Sequence, residues 1–430
     1  MKAGDNASNK EFDREHIWHP FTSFGDGSQP VHIVSANGIY LHSSDGRKII
    51  DAISSWWVNL HGHANPEIAL AIYEQAQKLE HVIFAGFTHD PAITLARNLL
   101  SVLPSNQNRI FFSDNGSTAV EVAIKMALQY FYNGGNPRKR VIAFEGSYHG
   151  DTFGSMSVGS RSAFTAPFND LLFEVAFIDV PRADNFKQVL NAFQDLARKD
   201  DVAAFIFEPL VQGAGGMIMY EPVYLQQLME EAAKHGIVTI ADEVFTGFGR
   251  TGKWFASDYL NAQPDIVTVS KGITGGTLPL GVTACSEKIA GAFQSANPAH
   301  TFFHGHSYTA NPISCAAANA SFAISSRAET WERIRMIERL HQDFLRQIQS
   351  NPHVKSCRSL GTILAVEINT GSDTSYFNSI RKKIYSYFLE RNILLRPLGN
   401  VVYILPPYVI TEEELTTVYG AIKEFLNELG

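Results

Sequence analysis

Seven short apolar runs punctuate the middle of this chain: RIFFSD (109–114), RVIAFE (140–145), VAFIDV (175–180), VAAFIFEP (202–209), IVTIADEV (237–244), DIVTVSK (265–271) and LGVTACS (280–286). Longer segments with helical periodicity separate several of them, 117–132 and 222–235 among these. Strands that alternate with helices belong to an α/β domain built on a mostly parallel sheet. In such sheets a ligand sits at the carboxyl ends of the strands, so the residues that end these runs deserve the closest reading.

The flanks differ in texture. Residues 1–15 are polar and are expected to form a frayed tail. From Val31 to Ile53, short apolar runs are divided by ANG and SDG, which are turn signals and predict a small antiparallel meander. Beyond about residue 327 come a helical stretch, GTILAVEI, a helix, ILLRP, VVYILPP and a final helix capped at TEEEL, which together predict a smaller α+β domain. The expected organisation is an N-terminal segment (1–65) packing with the small domain, a large α/β domain (66–327) and a C-terminal small domain (328–430).

Bulk properties narrow the function. A net charge of −8 over 430 residues argues against a nucleic-acid partner, which wants a basic face. Cys285, Cys315 and Cys357 are too few and too scattered for a disulfide framework or a zinc site. The start, MKAGDNASNKEFDREH, has no apolar core of a secretory signal, and TANPISCAAANASFAIS reads as a buried helix of small residues rather than a membrane span. A reducing cytoplasmic setting with no membrane partner is expected.

Three features end expected strands. DIVTVSK stops on Lys271, before a glycine-rich turn. A lysine there is costly unless something uses its amine, although lysines commonly snorkel out of a sheet end and do nothing. In SDNGSTAVEVAIKMA (113–127), Gly116 and Ser117 open a helix whose free N–H groups suit a phosphate dianion; the alternative is a plain turn with Ser117 as helix cap. In TIADEVFTGFGRTG (239–252), Asp242 ends an apolar strand, so its carboxylate is expected to be partly buried and to want a cationic partner. The adjacent Glu243 raises a metal reading, which the absence of a nearby histidine weakens.

One chemistry unites the three. Pyridoxal phosphate has a phosphate tail for a helix N-terminus, a pyridine nitrogen for a buried carboxylate and an aldehyde for a lysine of lowered pKa. Tyr148, in EGSYHGDT (145–152) after another strand, is placed to stack on the ring.

These residues resemble a known family. An apolar run into DEV, then GFGRTG, then a strand ending in SKG, together with SYHG and EPLVQGAGGM (208–217), is similar to the class III aminotransferases of fold type I. The resemblance extends from about residue 16 to the end. It implies Lys271 as the Schiff-base lysine, Asp242 at the pyridine nitrogen, Tyr148 on the ring, and Gly116 with Ser117 at the phosphate. It also implies a homodimer in which FHGHSYT (303–309) lends Ser307 and its neighbour His306 to the cofactor across the interface.

That family includes ornithine, γ-aminobutyrate, β-alanine and diamine enzymes, so it leaves the substrate open. HIWHPFTSF (16–24), SSWWVNLHGHANP (54–66) and LLRPLGNVVYILPP (394–407) resemble the branch that aminates 7-keto-8-aminopelargonate to 7,8-diaminopelargonate in biotin synthesis. Such a substrate is a long apolar chain ending in a carboxylate. Trp56 and Trp57 offer an apolar wall, and Arg396 offers a bidentate clamp. Core packing and an inter-domain salt bridge are their respective alternatives. By resemblance, Arg396 binds the carboxylate, Trp56, Tyr148 and Gly305 line the site, and Arg250 is a second anion contact. Many members of the branch read HPYT where this chain reads HPFT, so Phe21 lacks a phenol hydroxyl. A subgroup with this phenylalanine, and with stretches like TFFHGHSYT and RPLG, includes enzymes that use lysine as amino donor in place of S-adenosylmethionine.

Rival classes fare worse. A serine hydrolase would want G-x-S-x-G, and GHSYT (305–309) lacks its second glycine. A metal enzyme has two H-x-H pairs to draw on, in HGHANP and FHGH, with no acidic ligand beside either. A non-catalytic binding protein would have no need of the complete set of chemical groups found here.

Overall fold

The computed structural model describes residues 3–23, 30–371 and 374–429; Phe24, the last residue of the N-terminal motif, lies outside them. At the centre is a seven-stranded sheet in the spatial order Gln107–Ser113, Gly281–Ser286, Ile266–Val269, Val238–Asp242, Val202–Phe207, Arg140–Phe144 and Val175–Ile178. The strands Val202–Phe207, Val238–Asp242 and Ile266–Val269 are buried at every position, as expected of strands covered on both faces. Helix Gly116–Asn133 supplies part of that cover through Val120, Ala123, Ala127 and Phe131, spaced along one stripe.

Six of the seven strands point the same way, and Gly281–Ser286 runs antiparallel to both its neighbours. The reason is length. Only a short 3-10 turn, Lys271–Thr274, and a few further residues separate Val269 from Gly281, too little chain for a parallel crossover. Ser113, Phe144, Asp242 and Val269 therefore end at one edge of the sheet, and Gly281 begins there.

The meander forms as Ile33–Asn37, Tyr40–Ser43 and Lys48–Asp51, and a fourth strand, Ile393–Leu394, joins it in parallel with Lys48–Asp51. The two ends of the chain thus share a sheet. A further antiparallel sheet contains Val354–Leu360, Ile363–Ile368 and Val401–Ile404, packed by the helix Ala328–Ile348. The first of these is an edge strand that its polar sequence, VKSCRSL, does not announce. The closing helix Glu412–Asn427 starts on a capping box between Thr411 and Glu414. At the other end, residues Ala3–His16 are helical rather than frayed, with Arg14 and His16 at the C-terminal turn where cations are favoured. Among the described residues no helix is long and apolar enough to cross a membrane.

Candidate active site

The carboxyl edge of the sheet opens into a cleft of about 620 Å³ lined by Gly116, Ser117, Tyr148, His149, Glu208, Asp242, Val244 and Lys271. Asp242, the last residue of its strand, is buried and accepts three hydrogen bonds: from His149 Nδ1 at 2.7 Å, Val244 N at 3.1 Å and Thr268 Oγ1 at 3.3 Å. His149 is buried as well, and its Nε2 has no partner among the described residues. Because a carboxylate only accepts, the imidazole Nδ1 is the donor, which fixes the ring's tautomer.

Lys271 follows the next strand with a φ of 42°, a conformation that L-residues avoid and that functional sites retain. Burial pushes its amine below the ordinary lysine value, against the pull of Asp242 and Glu208. The Nζ lies 5.2 Å from the ring centre of Trp57. Glu208 is fully enclosed and accepts from Tyr148 N at 3.0 Å and Gly213 N at 2.8 Å. Burial raises its carboxyl to about 7. The Tyr148 phenol is held well above its usual range, mainly by burial and then by Asp151, so it stays neutral.

At the other end of the cleft the helix Gly116–Asn133 begins. Asn115, not Ser117, is its cap: Asn115 Oδ1 accepts from Thr118 N at 2.9 Å. This leaves Ser117 Oγ available, and it accepts from Asp151 N at 3.1 Å. Close packing explains the glycines. A Cβ on Gly116 would stand 2.7 Å from Val244 Cγ1, and one on Gly150 would stand 2.2 Å from Ser117 Oγ. A carboxylate, helix N–H groups and a lysine amine lining one cleft fit a pyridoxal phosphate in donor set.

A second cleft, also about 620 Å³, shares Trp57, Tyr148, Gly150, Asp151 and Lys271 with the first and runs outward past Phe21, Trp56, Phe164 and Tyr376 to Arg396. Its walls are aromatic. Phe21 lies 5.4 Å from Trp56 and 5.9 Å from Phe164, ring centre to ring centre. The Arg396 guanidinium stands 4.7 Å above the Trp56 ring and has no carboxylate partner among the described residues. Ser54, Ser55, Trp56 and Trp57 form a left-handed turn, with φ of 52°, 44°, 70° and 76°. Each such residue costs roughly 1–2 kcal/mol, so the turn must be held in place by its surroundings.

The structure thus brings together Lys271, Asp242, Tyr148, Gly116, Ser117, Trp56, Trp57, Phe21 and Arg396. It does not bring Arg250 to either cleft. Arg250 is buried, and its guanidinium donates to Pro406 O at 2.9 Å and to Trp57 O and Asn59 O at 3.2 Å. Its guanidinium clamps three carbonyls here, and among the described residues its hydrogen-bond partners include no anionic side chain. Gly305, His306 and Ser307 also lie outside both linings, with Gly305 and Ser307 exposed. Two site residues had no role assigned from the sequence, His149 and Glu208. Glu208 directly follows the strand Val202–Phe207, and His149 lies five residues past the strand Arg140–Phe144, beside Tyr148 in EGSYHGDT; those positions were the available signal.

Comparison with known proteins agrees with this geometry. The family model described as "Aminotransferase class-III" matches residues 23–426. An adenosylmethionine-8-amino-7-oxononanoate aminotransferase from Synechococcus elongatus is 50% identical over 96% of this chain and 99% of its own. A crystal structure of the aminotransferase of that name from Methanocaldococcus jannaschii superposes with a TM-score of 0.92 at 35% identity, covering 98% of this chain and 99% of its own. An amine transaminase from an uncultivated Pseudomonas species, solved in its PLP-bound form, superposes at 0.90 with 28% identity, over 96% of this chain and 99% of its own. With the match running nearly end to end and the fold shared throughout, this chain belongs to the class III aminotransferases, enzymes that work through pyridoxal phosphate.

Proposed function

We propose that this enzyme transfers an amino group to carbon 7 of 7-keto-8-aminopelargonate, forming 7,8-diaminopelargonate for biotin synthesis, with S-adenosylmethionine or lysine as donor. The observation that carries the reading is the second cleft, an aromatic-walled space whose lining includes both Lys271 and Arg396. A long apolar acid with its reacting carbon at one end and a carboxylate at the other matches it in both chemistry and order. The half-identical relative from Synechococcus elongatus bears the name of that activity.

Pyridoxal phosphate supplies an aldehyde that takes up an amino group and a conjugated ring that takes up electrons. The residues supply the rest. The helix N-terminus at Gly116 and Ser117 holds the phosphate. Asp242, oriented by His149, would hold the proton of the ring nitrogen. Tyr148, a neutral phenol lining the same cleft, would stack on the ring. Lys271 would attach the cofactor between turnovers, and its free Nζ would take the α-proton of the donor and, in the second half-reaction, give a proton to carbon 7 of the product. Trp56 and Trp57 exclude water, and Arg396 pairs with the keto acid's carboxylate.

The proposal includes a homodimer in the cytoplasm. Ile83, Phe87, Phe303 and Tyr308 are each at least 60% exposed, and Tyr308 packs 5.5 Å from His81, so the 80s segment and the 303–309 segment form one apolar surface. A second copy covering that surface would bring His306 and Ser307 to the phosphate. The three cysteines are free, in keeping with a reducing compartment.

Half-reactions test the reading. S-adenosylmethionine or lysine, added alone to the yellow enzyme, is expected to bleach it, and 7-keto-8-aminopelargonate is expected to restore the colour. Bleaching by β-alanine or ornithine alone, with no response to the keto acid, would sink the assignment while leaving the family intact. Arg396→Ala is expected to raise the KM for the keto acid by about 10- to 100-fold, the worth of a charge-assisted pair, with a smaller change in kcat. An unchanged KM would remove Arg396 from the substrate.

A further inference from the structure

The left-handed turn Ser54–Trp57 aims both tryptophans, yet only glycine adopts this backbone without penalty. Something outside the clefts must therefore hold it. Asp51 lines neither cleft and is wholly buried. Its Oδ1 accepts from Ile53 N at 3.3 Å and Ser55 N at 3.0 Å. Its Oδ2 accepts from Ser55 Oγ at 2.8 Å and His63 Nε2 at 2.8 Å. The His63 Nδ1 in turn meets Asn59 Nδ2 at 3.2 Å. One carboxylate thus ties the entry of the turn to the chain that leaves it.

Other contacts fix the turn's position but not its handedness. Ser54 Oγ donates to Leu405 O at 2.7 Å, and Trp57 Nε1 donates to Tyr403 OH at 3.0 Å. Gly276, in the loop after Lys271, presses on the same segment: a Cβ there would lie 2.7 Å from the Val58 carbonyl carbon. The turn is closed from within by Trp57 N to Ile53 O and Val58 N to Ser54 O, both 2.9 Å; among the described residues only Asp51 accepts from backbone N–H groups on both sides of Ser54.

We propose that Asp51 is a positioning residue for substrate recognition, its carboxylate holding the left-handed turn that presents Trp56 and Trp57 to the substrate cleft. The inference rests on the proposed function only for the choice of keto acid. Without the carboxylate the turn loosens, the exposed Trp56 indole leaves the wall of the substrate cleft and the substrate binds loosely, while Trp57 stays held by Tyr403 and Arg250. The cofactor cleft keeps Asp242, Ser117, Tyr148 and Lys271.

Steady-state kinetics on cofactor-loaded Asp51→Ala test this. The KM for 7-keto-8-aminopelargonate is expected to rise about tenfold or more, as for other small misplacements, with kcat within about threefold and the visible spectrum unchanged. A simple loss of stability would not produce that split. The decisive arm is Asp51→Ala with Ser55→Gly. Glycine removes the penalty at one of the turn's four positive-φ residues, so the double variant is expected to recover part of the lost KM, while Ser55→Gly alone stays near wild type. Unchanged KM in Asp51→Ala, or a raised KM that glycine fails to lower, overturns the proposal. If Asp51→Ala does not accumulate, Asp51→Asn, which keeps one accepting oxygen, is read the same way with a smaller expected rise, and an unchanged KM there is equally decisive. Absence of keto-acid turnover by the wild type would instead count against the proposed substrate, and the variant-to-wild-type ratio is then read on whichever amine the wild type accepts.

Discussion

Lys271→Ala is expected to lower turnover by about 10⁴-fold or more, because one side chain both attaches the cofactor and moves the proton. The variant should still bind pyridoxal phosphate through Asp242, Tyr148 and the helix start at Gly116. Borohydride should fix the cofactor to the wild type and leave it removable from the variant. Full turnover by the variant, or cofactor fixed covalently to it, would refute the role. The environment of the amine adds a pH signature. Burial holds the Lys271 pKa below the ordinary 10.5, so at a given pH more of it is neutral than of a free lysine. Reloading of the cofactor-free enzyme needs the neutral amine, so its rate is expected to rise with pH and to level off below 10.5. A plateau above that value would mean that Asp242 and Glu208 outweigh burial.

The sequence made Lys271, Asp242 and Gly116 legible for the same reason: each ends an apolar strand or lies within three residues of its end, and parallel strands deliver their ends to one edge. Tyr148 was legible through its motif. What stayed hidden depends on contacts distant in sequence. Arg250 looks like an anion contact within GFGRTG, but its charge is capped by carbonyls of residues 57, 59 and 406, which no local pattern could join to it. Asp51 sits in KIID, an unremarkable strand end, and its importance arises only from the handedness of the turn that follows. Nothing in SSWW foretells that handedness, since no glycine marks it. The antiparallel strand Gly281–Ser286 was half legible: its existence was clear from composition, and its direction follows from loop length once the neighbouring strand's end is known. The helix at Ala3–His16 was obscured by its own polarity, since its sequence has no apolar stripe to read.

Asp242→Asn is expected to lower kcat by about 10²–10³-fold with little change in fold, because it removes a charge and leaves the shape. The amide oxygen can still accept from Val244 N and Thr268 Oγ1, as the carboxylate does at 3.1 and 3.3 Å. The amide nitrogen, however, would face His149 Nδ1, now 2.7 Å from Oδ2, and two donors cannot share that contact. His149 must then move its proton to Nε2, which has no partner among the described residues, so the substitution disturbs the tautomer as well as the charge. The two effects separate on His149→Ala, which keeps the carboxylate and removes only its orienting ring. That variant is expected to lose about tenfold in kcat, far less than Asp242→Asn. Both half-reactions, followed by stopped-flow absorbance, supply the comparison. If Asp242→Asn keeps a wild-type kcat, the carboxylate at this strand end anchors the neighbouring backbone and does not serve the ring nitrogen. If His149→Ala is the slower of the two, orientation outweighs charge, and the imidazole rather than the aspartate sets the electrostatics of the cleft.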